Sequence, residues 1–132
     1  MNTTKIKDLM TREIIKVDIN DSVDRITHVM KEQGVGSVLV YNGNDFIGLI
    51  TKRDLLERVL LDCINPCTII AKDIVTKNPI TVSGDDFIPE CLRLMYKHKI
   101  KRLPVEDPSS KKLIGIITSY DIISAFNALG LS

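Results

Sequence analysis

The chain has 132 residues, enough for one ordinary domain or two small halves sharing a core, and too few for two large independent domains. At 44% hydrophobic and 27% charged it reads as globular rather than disordered. A formal net charge of +1, only three Phe and three Tyr, and no dense basic run leave nucleic-acid or membrane-surface binding little electrostatic footing.

The N-terminal "MNTTKIKDLM" lacks the apolar core of a signal segment, and no apolar run approaches the roughly 20 residues needed to cross a bilayer; a cytoplasmic protein is expected. After this lead-in, "EIIKV" (13–17) is a short β-branched run that predicts a strand. An acidic turn, "NDS", precedes apolar positions Val23, Ile26 and Met30, whose spacings of three and four predict an amphipathic helix. "SVLVY" and "FIGLIT" around "NGND" predict two strands joined by a turn, and "KRDLLERVLL" a closing helix.

A turn-like linker follows, with Cys63 and Cys67 in "CINPC". The three cysteines, these two and Cys91, are an odd number at no disulfide-framework spacing, which fits a reducing compartment. They read as unremarkable thiols, with a redox or metal role for the linker pair the lesser alternative. The predicted elements then recur: "PITV" as a strand, "GDD" as a turn, a helix on Ile88, Cys91, Leu92 and Met95 with Pro89 in its first turn, strands "RLPVE" and "LIGIIT" around "DPSSKK", and a helix over "SYDIISAFNAL".

The recurrence is a repeat. "KDLMTREIIKV" (7–17) lies over "KDIVTKNPITV" (72–82), with Lys7/Lys72, Asp8/Asp73, Thr11/Thr76, Ile15/Ile80 and Val17/Val82 in register. The register continues through Asp21/Asp86, Met30/Met95 and Val40/Val105, and after a short loop insertion Gly48/Gly115, Thr51/Thr118 and Asp54/Asp121 coincide. The first copy is assigned to 1–61 with its lead-in, the linker to 62–70 and the second copy to 71–132. Each copy is an α/β (α+β) unit of β-α-β-β-α order. Two helices leave one face of a three-stranded sheet uncovered, so the copies are expected to pack through their sheets.

The duplicated Thr-x-x-Asp supports two jobs. Thr51 or Thr118 can cap the following helix, with Asp54 or Asp121 satisfying free N–H groups from its third position, while Gly48 and Gly115 permit close strand packing. The same geometry suits a ligand: a helix N-terminus and a Thr hydroxyl favour a phosphate, and an Asp one turn in offers two acceptor oxygens to a ribose diol.

This ordered duplication resembles the cystathionine-β-synthase (CBS) domain pair, or Bateman module, over 7 to about 126. The marks are the "LMT…IKV" and "IVT…ITV" openings, Met30 and Met95, "RLPV" and the two closing motifs; "SVLV" departs from the pattern, with Leu39 where the second copy has Pro104. The resemblance implies two clefts related by a pseudo-twofold and an adenosine-containing ligand such as AMP, ADP, ATP or S-adenosylmethionine. It implies Asp54 and Asp121 on ribose, Thr51 and Thr118 on phosphate, and backbone near Ile15 and Ile80 framing adenine. Arg53 is a phosphate contact or a solvated helix residue. Under the family's cross-copy arrangement, Lys101 and Arg102 join Thr51 and Asp54 in a positive cleft suited to phosphorylated ligands, while Ser37 lies beside Thr118 and Asp121. Otherwise Lys99, Lys101 and Arg102 are a solvated strand edge.

No nucleophile–base pair or metal constellation stands out, and His28 and His98 sit alone in the amphipathic helices. The expected function is therefore a non-catalytic sensor needing no cofactor, whose ligand stabilises one arrangement of the copies and signals to a regulated protein partner. Side-by-side association into a homodimer is implied by the resemblance. The alternative is a ligand-free homodimeric interaction scaffold.

Overall fold

The computed structural model describes residues 2–129. The elements run in chain order as α1 (Ile6–Leu9), β1 (Lys16–Asp18), α2 (Val23–Gln33), β2 (Ser37–Asn42), β3 (Asp45–Thr51), α3 (Lys52–Leu55), α4 (Ala71–Ile74), β4 (Thr76–Lys77), β5 (Val82–Ser83), α5 (Ile88–His98), β6 (Arg102–Glu106), β7 (Leu113–Thr118) and α6 (Ser119–Ala128). The α+β class follows, with one sheet in the order β1-β2-β3-β4 and another in the order β5-β6-β7.

Two compact units result, one spanning Ile15–Pro79, the other joining the residues up to Ile14 with those from Ile80 onward. The sequence repeats and the spatial units therefore differ by an exchange of lead-ins. Apolar burial fixes the exchange: Ala71, Ile74 and Val75, from the start of the second copy, join Val17, Ile26, Val38 and Ile50 in one core. Ile6 and Met10, from the start of the first copy, join Ile88, Leu103, Val105 and Ile117 in the other. Burying one aliphatic side chain contributes about 1.5–3 kcal/mol, so each lead-in is bound to its unit mainly by this contact.

The first unit's sheet pairs β1 and β2 in parallel, Val17 opposite Val40, and β2 and β3 antiparallel, Ser37 opposite Thr51. β4 then adds to β3, with Gly48 opposite Lys77. The second unit repeats this pattern: Val82 lies opposite Val105 in parallel, and Arg102 opposite Thr118 antiparallel. Even the irregularity recurs, between Val40 and Tyr41 in one unit and between Val105 and Glu106 in the other. The shared acidic turns have a shared purpose, since Asp21 Oδ2 accepts from the Asp18 N–H at 2.9 Å and Asp86 Oδ2 from the Ser83 N–H at 3.1 Å. Each turn opens an amphipathic helix that buries Val23, Ile26 and Met30, or Ile88, Cys91 and Met95. Ser22 caps α2 through its hydroxyl; α5 lacks such a cap and has Pro89 in its first turn, where a missing N–H costs little.

The closing segments differ. α6 is a regular ten-residue helix, whereas the helix expected over "KRDLLERVLL" is α-helical only over Lys52–Leu55 and continues as a π-turn over Leu56–Leu60. The widened turn shows in the Leu61 and Ile64 N–H groups, which donate five residues back to Leu56 and Val59. Val59 stays buried while Leu60 and Leu61 are about two-thirds exposed, at 70% and 68%.

Candidate functional site

Each β-strand ahead of a closing helix ends on the predicted Thr, and in both units that Thr is the helix N-cap. The Thr51 hydroxyl accepts from the Asp54 N–H at 3.3 Å, while the Thr51 N–H donates to Asp54 Oδ2 at 2.8 Å. The Thr118 hydroxyl accepts from the Asp121 N–H at 3.1 Å, and the Thr118 N–H donates to Asp121 Oδ2 at 3.0 Å. Both reciprocal bonds of a capping box are therefore made twice, which fixes the rotamer of each Asp one turn into its helix.

The second carboxylate oxygen explains why Thr11 and Thr76 also recur. Thr76 Oγ1 donates to Asp54 Oδ1 at 3.2 Å, and Thr11 Oγ1 donates to Asp121 Oδ1 at 3.1 Å. Each exchanged lead-in is thus tied to the closing motif of its unit through the same pair of residues. The motif glycines admit the lead-in: a Cβ on Gly48 would overlap the Thr76 carbonyl oxygen, and one on Gly115 would stand 2.7 Å from the Thr11 carbonyl oxygen and 2.8 Å from Met10 Sδ. The packing reading of these glycines is the one the structure bears out.

The other predicted residues fall within the same two units. Ser37 is the ladder partner of Thr51, and the Ile15 carbonyl accepts from the Leu39 N–H at 2.9 Å at the start of the same sheet. Arg102 is the ladder partner of Thr118, so the two side chains share one sheet face, and the Lys101 carbonyl accepts from the Ser119 N–H at 2.9 Å. Ile80 packs against the core of that unit. Lys101 and Arg102 lie in the unit that also holds Thr118 and Asp121, and Ser37 in the unit that holds Thr51 and Asp54. Arg53 is exposed and paired: its Nε donates to Glu57 Oε1 at 2.8 Å, and this bond raises its pKa above the ordinary guanidinium value.

Three residues that the sequence did not mark as site residues take part. Thr11 and Thr76 are two; their recurrence in the repeat was the available signal. Arg58 is the third. Its Nε lies 3.7 Å from Asp54 Oδ1, and its Nη1 donates to the Ile74 carbonyl at 2.9 Å. The spacing of four from Asp54 on a helix was its only trace in the sequence. On the other unit's corresponding helix the position is Ala125. Cys91, buried in α5, has its thiol pushed up to about 11 by burial first and by the Asp121 charge second, so it stays protonated at neutral pH. No helix among the described residues is long and apolar enough to cross a membrane.

Comparison with known proteins agrees with this architecture. The CBS domain family matches residues 6–61 and 71–128. An uncharacterized protein of Methanopyrus kandleri is 37% identical over 93% of this chain and 63% of its own length, and one of Bacillus subtilis is 36% identical over 90% of this chain and 80% of its own. The match to an inosine-5'-monophosphate dehydrogenase of Korarchaeum cryptofilum, 31% identical, takes in 89% of this chain but only 23% of that enzyme. The chain thus spans less than two-thirds of the first and a quarter or less of the last. Among solved structures, a protein with CBS domains from Burkholderia ambifaria superposes with a TM-score of 0.88 at 30% identity, covering 95% of each chain. Two successive family matches on a duplicated fold have one meaning: the chain belongs to the CBS-domain family and carries two CBS domains in tandem.

Proposed function

We propose that this chain is a non-catalytic regulatory module that binds an adenosine-containing ligand, AMP, ADP, ATP or S-adenosylmethionine, through the closing motif of at least one unit. The observation that carries the reading is the twofold construction of Thr-x-x-Asp at a strand-to-helix junction, with each carboxylate held rigidly beside a helix N-terminus. A fixed carboxylate is a preorganised acceptor for a ribose diol, and the N-terminal N–H groups of a helix favour an anionic group nearby. Backbone at Ile15 or Ile80 and the side chains of Ser37, Arg53, Lys101 and Arg102 are the further contacts proposed. The module acts on a protein partner, in the cytoplasm, as a homodimer.

Calorimetric titration with AMP, ADP, ATP, S-adenosylmethionine and adenosine tests the reading. Binding by one or more supports it, and ligand at about 100 times its dissociation constant then adds roughly 2.7 kcal/mol of stability. No heat and no thermal shift with any of the five at millimolar concentration favours the second reading, a ligand-free homodimeric scaffold. That reading draws on the exposed apolar side chains along the closing segments, with Leu60 at 70%, Leu61 at 68% and Ile123 at 64% exposure.

A further inference from the structure

We propose that the basic stretch closing α5, from Lys97 to Arg102, is a docking surface for a short acidic segment of a protein partner; the proposal rests on the reading above only in taking the module to act on a protein. The two copies place the same backbone here. α2 and α5 both end on a left-handed residue, Gly34 at φ 64° and Lys99 at φ 54°, and the N–H groups that follow, of Val35 and Ile100, donate to the Met30 and Met95 carbonyls at 3.1 Å each. The side chains differ throughout. Glu32, Gln33, Gly34, Gly36 and Ser37 in the first copy stand where the second has Lys97, His98, Lys99, Lys101 and Arg102. The turn is thus made in the first copy without any of these cations, and a left-handed position accepts glycine without strain and lysine only at a cost. The C-terminal dipole of α5 accounts for Lys97 and His98 in its last turn, whereas Lys101 and Arg102 lie beyond it.

The surface offers unpaired charge flanked by aromatic rings. Lys97, His98, Lys99 and Lys101 are exposed and Arg102 is half-buried; among the described residues none of the five joins an ion pair, whereas Lys5, Lys7, Arg53, Arg58 and Arg93 all do. Tyr96, at 89% exposure, directly precedes the stretch, and Tyr120, at 75%, follows Ser119, whose N–H donates to the Lys101 carbonyl. All of these residues lie in the same unit. Tyrosine and arginine are favoured at protein interfaces, and opposite charge supplies steering and register. The size of the surface sets the occupant. With Lys97, Lys99, Lys101 and Arg102 set aside, the formal charge of the chain falls from +1 to −3, so a long polyanion such as a nucleic acid meets net repulsion past the stretch. Six residues, spanning at most about 20 Å, match a short run of carboxylates.

The test uses a fluorescein-labelled octaglutamate peptide, followed by anisotropy at low salt and without nucleotide, so its outcome does not depend on whether any adenosine compound binds. Lys97→Glu and Lys99→Gly together install the first copy's residues at two positions outside the proposed ligand contacts. Lys111→Gly and Lys112→Glu together make the same charge change on exposed lysines past the far end of β6, where Lys111 is likewise left-handed, at φ 63°. The parent is expected to bind octaglutamate with an affinity that falls as salt rises, the first variant about tenfold more weakly, and the second like the parent. Equal losses in both variants, no binding by the parent, or tighter binding of labelled octathymidylate than of octaglutamate would each overturn the proposal. Should the first variant melt lower than the parent, amide NMR of the unaltered chain decides: octaglutamate should shift the signals of Lys97–Arg102 and Tyr120, and shifts centred elsewhere refute the assignment. Failure of the adenosine reading shows instead in the calorimetric titration and leaves the octaglutamate result standing.

Discussion

Alanine at the motif glycines is the sharpest probe of the exchanged lead-ins, because the structure ranks the outcome. At Gly48 the new Cβ would overlap the carbonyl oxygen of Thr76, a backbone atom in β4 that cannot move without its strand. Relieving the overlap pulls β4 away from β3, weakening their ladder and the Thr76–Asp54 hydrogen bond. Overpacking costs about 1–3 kcal/mol and each weakened hydrogen bond about 0.5–1.5 kcal/mol. Against this stands a gain of about 0.4–1 kcal/mol from the less flexible unfolded chain. The net is about 3 kcal/mol of destabilisation, or near 10 °C in melting temperature at roughly 4 °C per kcal/mol for a chain of this size. At Gly115 the clash is milder, 2.7 Å to the Thr11 carbonyl and 2.8 Å to the flexible Met10 side chain, and a loss of about 1–2 kcal/mol is expected. At Gly84 the nearest atom is Ile114 Cδ1 at 3.0 Å, the end of a side chain that can yield, and the loss should be about 1 kcal/mol or less. Thermal and urea unfolding followed by circular dichroism measure all three. A Gly48→Ala variant as stable as the parent, or less damaging than Gly84→Ala, would refute the claim that close approach of the lead-in explains the motif glycine.

Other expectations concern single side chains. Cys63 and Cys67 are exposed and Cys91 is buried with its thiol pushed up to about 11, so two thiols should react with a disulfide reagent at pH 8 in the native state and the third only after unfolding; three fast thiols would contradict the buried core position. Asp107 is held down to about 2, first by the Ser110 backbone N–H and then by the Ser109 and Ser110 hydroxyls. Its contribution to loop order is therefore present above the ordinary carboxylate range and lost only as pH falls through about 2, and a side-chain carboxyl NMR titration with a midpoint near 4 would contradict these bonds. Thr118→Ala removes the cap of α6 and should cost about 0.5–2 kcal/mol in unfolding free energy, with no loss at all counting against the capping box.

Much of the fold was legible because each strand and helix carried its own period. "SVLVY" and "FIGLIT" are β-branched or apolar runs around a turn, and Val23, Ile26 and Met30 keep helical spacing; all became the expected elements. What stayed hidden depends on partners distant in sequence. "KRDLLERVLL" and "SYDIISAFNAL" look alike as apolar helices, yet only the second stays regular; the first widens into a π-turn that buries Val59 and carries Arg58, whose guanidinium reaches the Ile74 carbonyl sixteen residues on. The alignment put each lead-in with its own repeat, and nothing in the spacing of Ile6 or Ile74 says which core will receive it. At the motif, both the capping roles of Thr51 and Thr118 and the glycine positions could be read from residue type, whereas the contacts of Asp54 Oδ1 come from Thr76, distant in sequence, and from Arg58.

The exchange of lead-ins also bears on how such a duplication folds. A unit assembled from one repeat alone would lack part of its core: without residues 71–75 the first loses Ala71, Ile74 and Val75, all buried, and leaves Asp54 without the Thr76 hydroxyl. At about 0.8 kcal/mol per buried CH₂, that deficit is comparable with the whole stability of a domain of some 60 residues. Neither repeat is therefore an independent folding unit, and the chain passes between the units at Ile14–Ile15 and again at Pro79–Ile80. Both crossings begin a few residues after a threonine held by a motif aspartate, Thr11 on Asp121 and Thr76 on Asp54. The hydrogen bonds that hold Thr11 and Thr76 therefore secure segments that are covalently continuous with the strands opening the other unit, β1 after Thr11 and β5 after Thr76.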